Sequence, residues 1–278
     1  MRLAFLSGKG GAGKTLMAVN LAATAKDATY IDCDVEEPNG RIFLKPENIK
    51  IKNVSTLIPE FDEAKCTGCR KCVDFCKFNA LIFIKKKPII FPEVCHSCGG
   101  CELVCPVGAV SENEHPVGHI EIGKHEKIKV ITGILDTGEA SGIPIIEAAQ
   151  EEGFKSDTDV FVDCPPGSAC SVMQSVSSCD FCVLVAEPTA FGFHNFKMVY
   201  ELVTLLKKPC AVVINKQDEK FEPLEEFCKD NNIEILARIP YSKAVAETAA
   251  KGELVTECDE EIKSLFDDIL KKIRGMLN

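Results

Sequence analysis

Residues 7–15 read SGKGGAGKT, from Ser7 to Thr15, and this stretch decides the fold. The short apolar run RLAFLS (2–7) leads into it, and GKTLMAVNLAATA (13–25), with helical periodicity, leads out. A glycine-rich turn between a strand and a helix aims backbone N–H groups at phosphate, reinforced by the helix N-terminus. Gly8, Gly13, Lys14 and Thr15 satisfy G-x4-G-K-[ST]. Lys14 is therefore expected to reach the β- and γ-phosphates of a nucleotide, and Thr15 to hold Mg2+. The expected phosphate cradle comprises Gly8, Lys9, Gly10, Gly11, Ala12, Gly13, Lys14, Thr15 and Leu16. Lys9 is a second lysine that the general pattern does not require.

Outward from this loop, ATYIDCD (28–34) reads as a second buried strand. KIKVIT (127–132), DVFVDC (159–164), FCVLVAE (181–187), CAVVINK (210–216) and EILARIP (234–240) read as further strands. Helical stretches over 142–152, 192–207 and 221–231 lie between them. Strands alternating with helices predict an α/β fold, a parallel sheet covered by helices on both faces. Ligands bind such sheets beyond the strand C-termini. That is where the sequence puts Asp32 and Asp34, Asp163 in FVDCPPG, and the amide and carboxylate of INKQD (214–218). Asp163 is suited to a magnesium shell.

The alternation breaks near Pro59 and resumes after about Gly118. Between these points Cys66, Cys69, Cys72 and Cys76 recur 29 positions later as Cys95, Cys98, Cys101 and Cys105; Ala80 and Ala109 keep the same offset. Each half reads C-x2-C-x2-C-x3-C, a spacing that suits [4Fe-4S] clusters. Three thiolates in a tight turn cap three corners of a cubane, and the fourth corner must be reached from elsewhere. The halves are thus expected to exchange a cysteine. One cluster takes Cys66, Cys69, Cys72 and Cys105, and the other takes Cys95, Cys98, Cys101 and Cys76. Zinc ribbons use paired C-x2-C knuckles rather than four closely packed cysteines twice over. The repeat resembles a two-cluster ferredoxin over about fifty residues, with Pro106 after Cys105 but Lys77 after Cys76. The expected organisation is a discontinuous nucleotide domain, 1–57 and 118–278, interrupted by a small α+β ferredoxin-like insert over 58–117.

K-G-G-x-G-K-T together with D-x-P-P-G resembles the deviant Walker-A ATPases, a family that includes MinD, ParA, the nitrogenase iron protein and the iron–sulfur carrier ATPases. With the cysteine repeat, the chain is similar to MinD-superfamily ATPases containing an inserted ferredoxin domain. The resemblance implies that Lys9 crosses a homodimer interface to the partner's nucleotide phosphates. It implies that Asp34 orients the attacking water beside Mg2+. It also implies that Asp163, Pro166 and Gly167 form the second switch, with the Gly167 N–H sensing the γ-phosphate. Asn215 corresponds to a base-contacting amide, and the IPYS turn at Pro240 to the segment closing over the base. Lys9, Lys14 and Asp34 are then the catalytic set, with ATP, Mg2+ and two [4Fe-4S] clusters as ligands.

The 278 residues include 16 cysteines and carry a formal net charge of -10. The acidic balance argues against nucleic acid or an anionic membrane as partner. With no secretory signal and no bilayer-length apolar run, a cytoplasmic location and metal-binding rather than disulfide-bonded cysteines are expected. The remaining cysteines, including Cys164, Cys170 and the Cys179–Cys182 pair, read as small core hydrophobes. Cys170 keeps the offset of a cluster-ligating cysteine in the nitrogenase iron protein. The tail EEIKSLFDDILKKIRGMLN places Ile262, Leu265, Phe266, Ile269, Leu270 and Ile273 on one helical face, and its mixed charges favour packing on the sheet over a bilayer. Three functions follow as expectations. The leading one is a nucleotide-gated ATPase coupled to electron transfer with a protein redox partner. The second is an iron–sulfur carrier serving an apoprotein acceptor, and the third a positioning ATPase without redox work.

Overall fold

The computed structural model describes residues 1–277. Its centre is a 9-stranded sheet in the order β11-β10-β9-β1-β8-β2-β7-β6-β3. The strands are β1 (Arg2–Leu6), β2 (Ala28–Asp32), β3 (Glu47–Phe61), β6 (Val110–His125), β7 (Ile128–Leu135), β8 (Asp159–Asp163), β9 (Phe181–Ala186), β10 (Cys210–Gln217) and β11 (Glu234–Pro240). From β11 to β7 every neighbouring pair is parallel. Every strand read from the apolar runs is present, and they make up this parallel part.

Alternate residues of β1 serve opposite faces of the sheet. Ala4 and Leu6 join a core with α5 (Ile143–Gly153), α6 (Cys170–Ser177), α7 (Ala190–Leu205) and α8 (Glu222–Asp230). Leu3 and Phe5 join the opposite core with α1 (Lys14–Ala25), α2 (Gly40–Leu44), α10 (Val255–Cys258) and α11 (Glu260–Leu277). A short α9 (Lys243–Ala250) precedes α10. The tail helix α11 buries Phe266, Ile269, Leu270 and Ile273 against the sheet, as its apolar stripe predicts. Each such side chain contributes about 1.5–3 kcal/mol. No helix among the described residues is long and apolar enough to cross a membrane.

The far edge is built differently. β3 and β6 form a long antiparallel hairpin, of which only Gly118–His125 pairs with β7. Beyond Gly118 the hairpin leaves the sheet as a two-stranded arm. The exit coincides with a register shift between Val54 and Ser55, opposite Gly118. Gly118 has φ 150°, and a Cβ there would lie 2.2 Å from the Ile134 carbonyl oxygen. The boundaries expected at 57/58 and 117/118 thus fall inside two continuous strands.

The cysteine repeat lies at the arm's tip. Its elements are α3 (Lys71–Phe75), the hairpin of β4 (Leu81–Ile84) with β5 (Lys87–Ile90), and α4 (Gly100–Leu103). The duplication read from the cysteines is written into the backbone. Gly68 and Ser97, Arg70 and Gly99, and Asn79 and Gly108 all have positive φ, each pair at the cysteine offset. The Asp62 N–H donates to the Ala109 carbonyl, and the Phe91 N–H to the Ala80 carbonyl. The two halves therefore exchange equivalent bonds, as a pseudo-twofold requires.

Candidate functional site

The loop between β1 and α1 sits at the C-terminal edge of the parallel strands. It borders a cavity of about 670 Å3 lined by, among others, Lys9, Lys14, Thr15, Asp34 and Pro166. Gly10, Gly11, Gly13 and Leu16 line it too. Gly13 has φ 97°, and a Cβ there would meet the Asn215 amide nitrogen at 2.2 Å, so the turn into α1 requires glycine. Ala12 is buried beneath the loop, and its carbonyl accepts a 2.9 Å bond from Asn215 Nδ2. The Asn215 amide, expected to contact a base, here braces the loop. Pro240 ends β11 and, like Asn215, is not among the cavity's lining residues.

Around the cavity floor, charges are concentrated in a buried cluster. Lys14 Nζ donates to Asp163 Oδ1 at 2.7 Å and lies 3.7 Å from Asp34. Thr15 Oγ1 donates to Asp163 Oδ2 at 2.6 Å, and the Tyr30 hydroxyl to the same oxygen at 3.1 Å. Asp32 accepts from the Gly40 and Asp34 N–H groups. Burial works against the Lys14 charge, yet Asp163 outweighs it and holds its pKa above the ordinary lysine value. Burial, and then the Asp163 charge, push Asp32 up to about 8. Burial pushes Asp34 up to about 6, with Lys14 opposing and Asp163 adding. Lys14 is the cation that offsets this carboxylate crowding. Thr15, Asp34 and Asp163 together offer the oxygen donors that a hard divalent cation takes.

Lys9 points away from this cluster. Its ammonium pairs with Glu187, just beyond β9, and lies 5.4 Å from the Phe191 ring centroid. Glu187 also accepts from Lys216 Nζ at 2.8 Å, and Lys216 donates to the Gly11 carbonyl at 2.6 Å. Partial burial works against the Glu187 carboxylate, but Lys216 and Lys9 keep its pKa below the usual range. This three-residue clasp is the part of the site that sequence reading missed, because nothing local marks Glu187. The Gly167 N–H donates to the Ser7 carbonyl at 2.9 Å, with Gly167 at φ 91°.

At the arm's tip Cys66, Cys69 and Cys72 lie near one another, and Cys76 borders a cavity with Cys95, Cys98 and Cys101. Burial raises the Cys72 pKa, and Cys66 and Cys69 raise it further. Burial likewise raises Cys95, with added repulsion from Cys76 and Cys98. It pushes Cys101 up to about 11, with Cys95 and Cys98 contributing. Cys76, from the first half, therefore stands with the cysteines of the second. Burial opposes the Cys105 thiolate, but the N–H groups of Val107, Ala109, Val110 and Gly108 outweigh it and lower its pKa. Ala109 N lies 3.2 Å from Cys105 Sγ. Crowded thiols that repel one another as thiolates, with amides aimed at sulfur, fit iron–sulfur ligation, which neutralises that charge. Among the described residues, no three His, Cys, Asp or Glu side chains converge on a single-ion site.

The other expectations are placed as follows. Cys164, Cys179 and Cys182 are buried, and burial raises the pKa of each. Cys170 is exposed at the start of α6. His96 stacks on Phe78 with centroids 3.9 Å apart, and His115 pairs with Glu139 at 2.9 Å.

A family model, the CobQ/CobB/MinD/ParA nucleotide binding domain, matches residues 3–255. An uncharacterized protein of Methanocaldococcus jannaschii is 27% identical over 259 residues, covering 91% of this chain and 90% of its own. The iron-sulfur cluster carrier protein of the same organism is 22% identical over 301 residues, covering 99% and 85%. Among solved structures, the septum site-determining protein MinD of Pyrococcus horikoshii complexed with Mg-ADP aligns with a TM-score of 0.62 at 15% identity. That alignment covers 100% of this chain and 97% of that one.

Proposed function

Because the chain belongs to the CobQ/CobB/MinD/ParA nucleotide-binding family, we propose that it is a Mg-ATP hydrolase. It closes as a homodimer on nucleotide and couples closure to electron transfer through two [4Fe-4S] clusters. One observation carries this reading. The sheet that gathers Lys14, Thr15, Asp34 and Asp163 at one cavity also extends the arm bearing the paired cysteine groups.

The chain's own residues divide the work. The loop N–H groups and the α1 N-terminus bind phosphate. Lys14 leaves Asp163 for the phosphate oxygens, because the nucleotide brings more negative charge than one carboxylate. Thr15, Asp163 and Asp34 would hold Mg2+, which when bound would supply charge neutralisation at the transferring group. Asp34, as carboxylate, accepts a hydrogen bond from the attacking water and orients it. The Gly167 N–H exchanges the Ser7 carbonyl for the γ-phosphate, turning nucleotide state into movement of the second switch. Lys9 exchanges Glu187 for phosphate across the dimer. Such an exchange shifts monomer towards dimer only through differential contacts, and Lys9 supplies one.

The cysteine groups Cys66, Cys69, Cys72 with Cys105, and Cys95, Cys98, Cys101 with Cys76, would hold the clusters. When bound, these supply one-electron chemistry at low potential. The reading is tested by following ATP turnover together with the redox state of the iron–sulfur chromophore under anaerobic conditions. Hydrolysis that leaves that state and its rate of change untouched would exclude the coupling.

A second reading, an iron–sulfur carrier, is favoured by the full-length similarity to the Methanocaldococcus carrier protein. Incubating the loaded protein with an apo-acceptor separates the two: cluster loss to the acceptor supports a carrier, and retention supports electron transfer.

A further inference from the structure

The cysteine module is electrically lopsided. From Cys66 to Lys87 the cations Arg70, Lys71, Lys77, Lys85, Lys86 and Lys87 face a single carboxylate, Asp74. From Phe91 to Ala109 there is no lysine or arginine, while Glu93 and Glu102 remain. The contrast is set within a chain of net charge -10.

The two halves are also placed differently. The second half faces the sheet body: Cys95, His96 and Ser97 border a cavity of about 170 Å3 with Glu139, Ser141 and Pro144. The first half looks outward. Its cysteine loop lies under the β4–β5 turn, where a Cβ on Gly68 would stand 3.7 Å from the Lys86 carbonyl oxygen. The Arg70 guanidinium lies 5.5 Å from the Phe83 ring centroid. The groove beside this turn is mixed, lined by Cys66, Lys85, Lys86 and Lys87 but also by Glu60, Glu63 and Glu114, so the cationic face is the turn itself. Ile84 and Ile89, flanking the lysines, are 46% and 43% exposed, so the patch is apolar as well as cationic. Lys71, Lys77, Lys85 and Lys86 form no ion pair among the described residues.

The turn itself indicates that the lysines serve something other than folding. Lys85 and Lys86 have φ 50° and 69°. A two-residue hairpin turn with both central residues in the left-handed region selects Asn-Gly or Asp-Gly. This chain sets two lysines there instead, against their backbone preference.

We infer that the surface formed by the β4–β5 turn and the Cys66–Cys72 loop is a docking face for an acidic one-electron carrier protein. The inference rests on the electron-transfer reading above. Cys66 lines the groove beside the turn and Gly68 packs beneath it, so a partner seated on the turn comes closest to the first cysteine loop. Opposite charge steers the encounter and sets its orientation. The exposed isoleucines supply the apolar contact that a protein interface has at its centre. A polynucleotide or an anionic bilayer would use the charge but not the redox group beneath it.

The test is anaerobic calorimetric binding of an acidic plant-type [2Fe-2S] ferredoxin to the reconstituted full-length protein, across a salt series. Binding is expected at low salt and to weaken steadily as salt rises. The variant Lys85→Asn/Lys86→Gly should bind about tenfold or more weakly. It should keep its iron content and melt no lower than the parent, because Asn-Gly suits the turn. The variant Glu93→Gln/Glu102→Gln, on the inward half, should bind as the parent does. Unchanged affinity in the lysine variant, no ferredoxin binding at low salt, or preferential retention on phosphatidylserine vesicles or duplex DNA would each overturn the docking face. Iron content and EPR of the same preparations judge the cluster reading separately. Protein that binds the ferredoxin but carries no [4Fe-4S] signal sinks electron transfer while upholding the docking surface.

Discussion

Replacing Lys9 with alanine separates what this lysine does within one chain from what it does across two. Within the chain, Lys9 pairs with Glu187, their side chains being 28% and 12% exposed. A pair this open contributes about 0–1 kcal/mol. Its loss is further softened because Glu187 keeps Lys216 at 2.8 Å. The monomer should therefore melt within about 4 °C of the parent. Across the dimer the expected contact is charge-assisted, from an ammonium to phosphate oxygens, and such bonds are worth about 1.5–3 kcal/mol each. A twofold dimer makes the contact twice, so Lys9→Ala should weaken ATP-dependent dimerisation by about 3–6 kcal/mol, or roughly a hundredfold to ten-thousandfold in Kd. The assay is sedimentation velocity with a slowly hydrolysed ATP analogue, alongside ATP turnover and monomer nucleotide affinity. Turnover and dimerisation should fall together while monomer affinity stays within about threefold. The companion Glu187→Ala should act oppositely, because it frees Lys9 in both protomers, and should tighten the dimer by up to about 2 kcal/mol. Intact dimerisation and turnover in Lys9→Ala would refute the reasoning.

Other predictions follow from single residues. Asp34 must be ionised to orient water, and burial pushes it up to about 6. kcat/KM, which reports the free enzyme, should therefore fall below about pH 6 and level off above it; Asp34→Asn should cut turnover by about a hundredfold or more while sparing nucleotide binding. Cys76→Ser should cost the cluster held by Cys95, Cys98 and Cys101, not that of its own half, so iron analysis should fall towards one cluster per chain and Cys105→Ser should remove the other. Gly118→Ala puts a Cβ 2.2 Å from the Ile134 carbonyl at the root of the arm. It should destabilise the protein by about 2–3 kcal/mol, a drop of roughly 4–12 °C in melting temperature by calorimetry.

What the sequence showed and what it hid divide along physical lines. The buried strands of the parallel sheet are short apolar runs, because both faces are covered, and each was visible. The cysteine repeat was equally plain, since ligand spacing is a local property. β3 was not visible. Ile49 and Ile51 do alternate with Lys50 and Lys52, but Glu47–Asn53 is exposed on both faces, so the alternation marks an edge strand with no core face and is easily passed over. The β4–β5 hairpin was hidden because its turn holds Lys85 and Lys86 where an Asn-Gly signal is normally sought. At the nucleotide site, the loop lysine and the carboxylates were legible from motif spacing. The Glu187 clasp on Lys9 and the Asn215 brace on Ala12 were not, because both join residues far apart in the chain.

The coupling of nucleotide to iron–sulfur chemistry is tested most directly by anaerobic EPR of the reduced, reconstituted protein, with iron quantified and Mg-ATP present or absent. The account predicts two [4Fe-4S] clusters per chain and a spectrum or reduction potential that changes when Mg-ATP binds, with the change lost in Lys14→Ala. Iron absent or replaced by zinc, or two clusters whose spectrum and potential ignore the nucleotide, would contradict it.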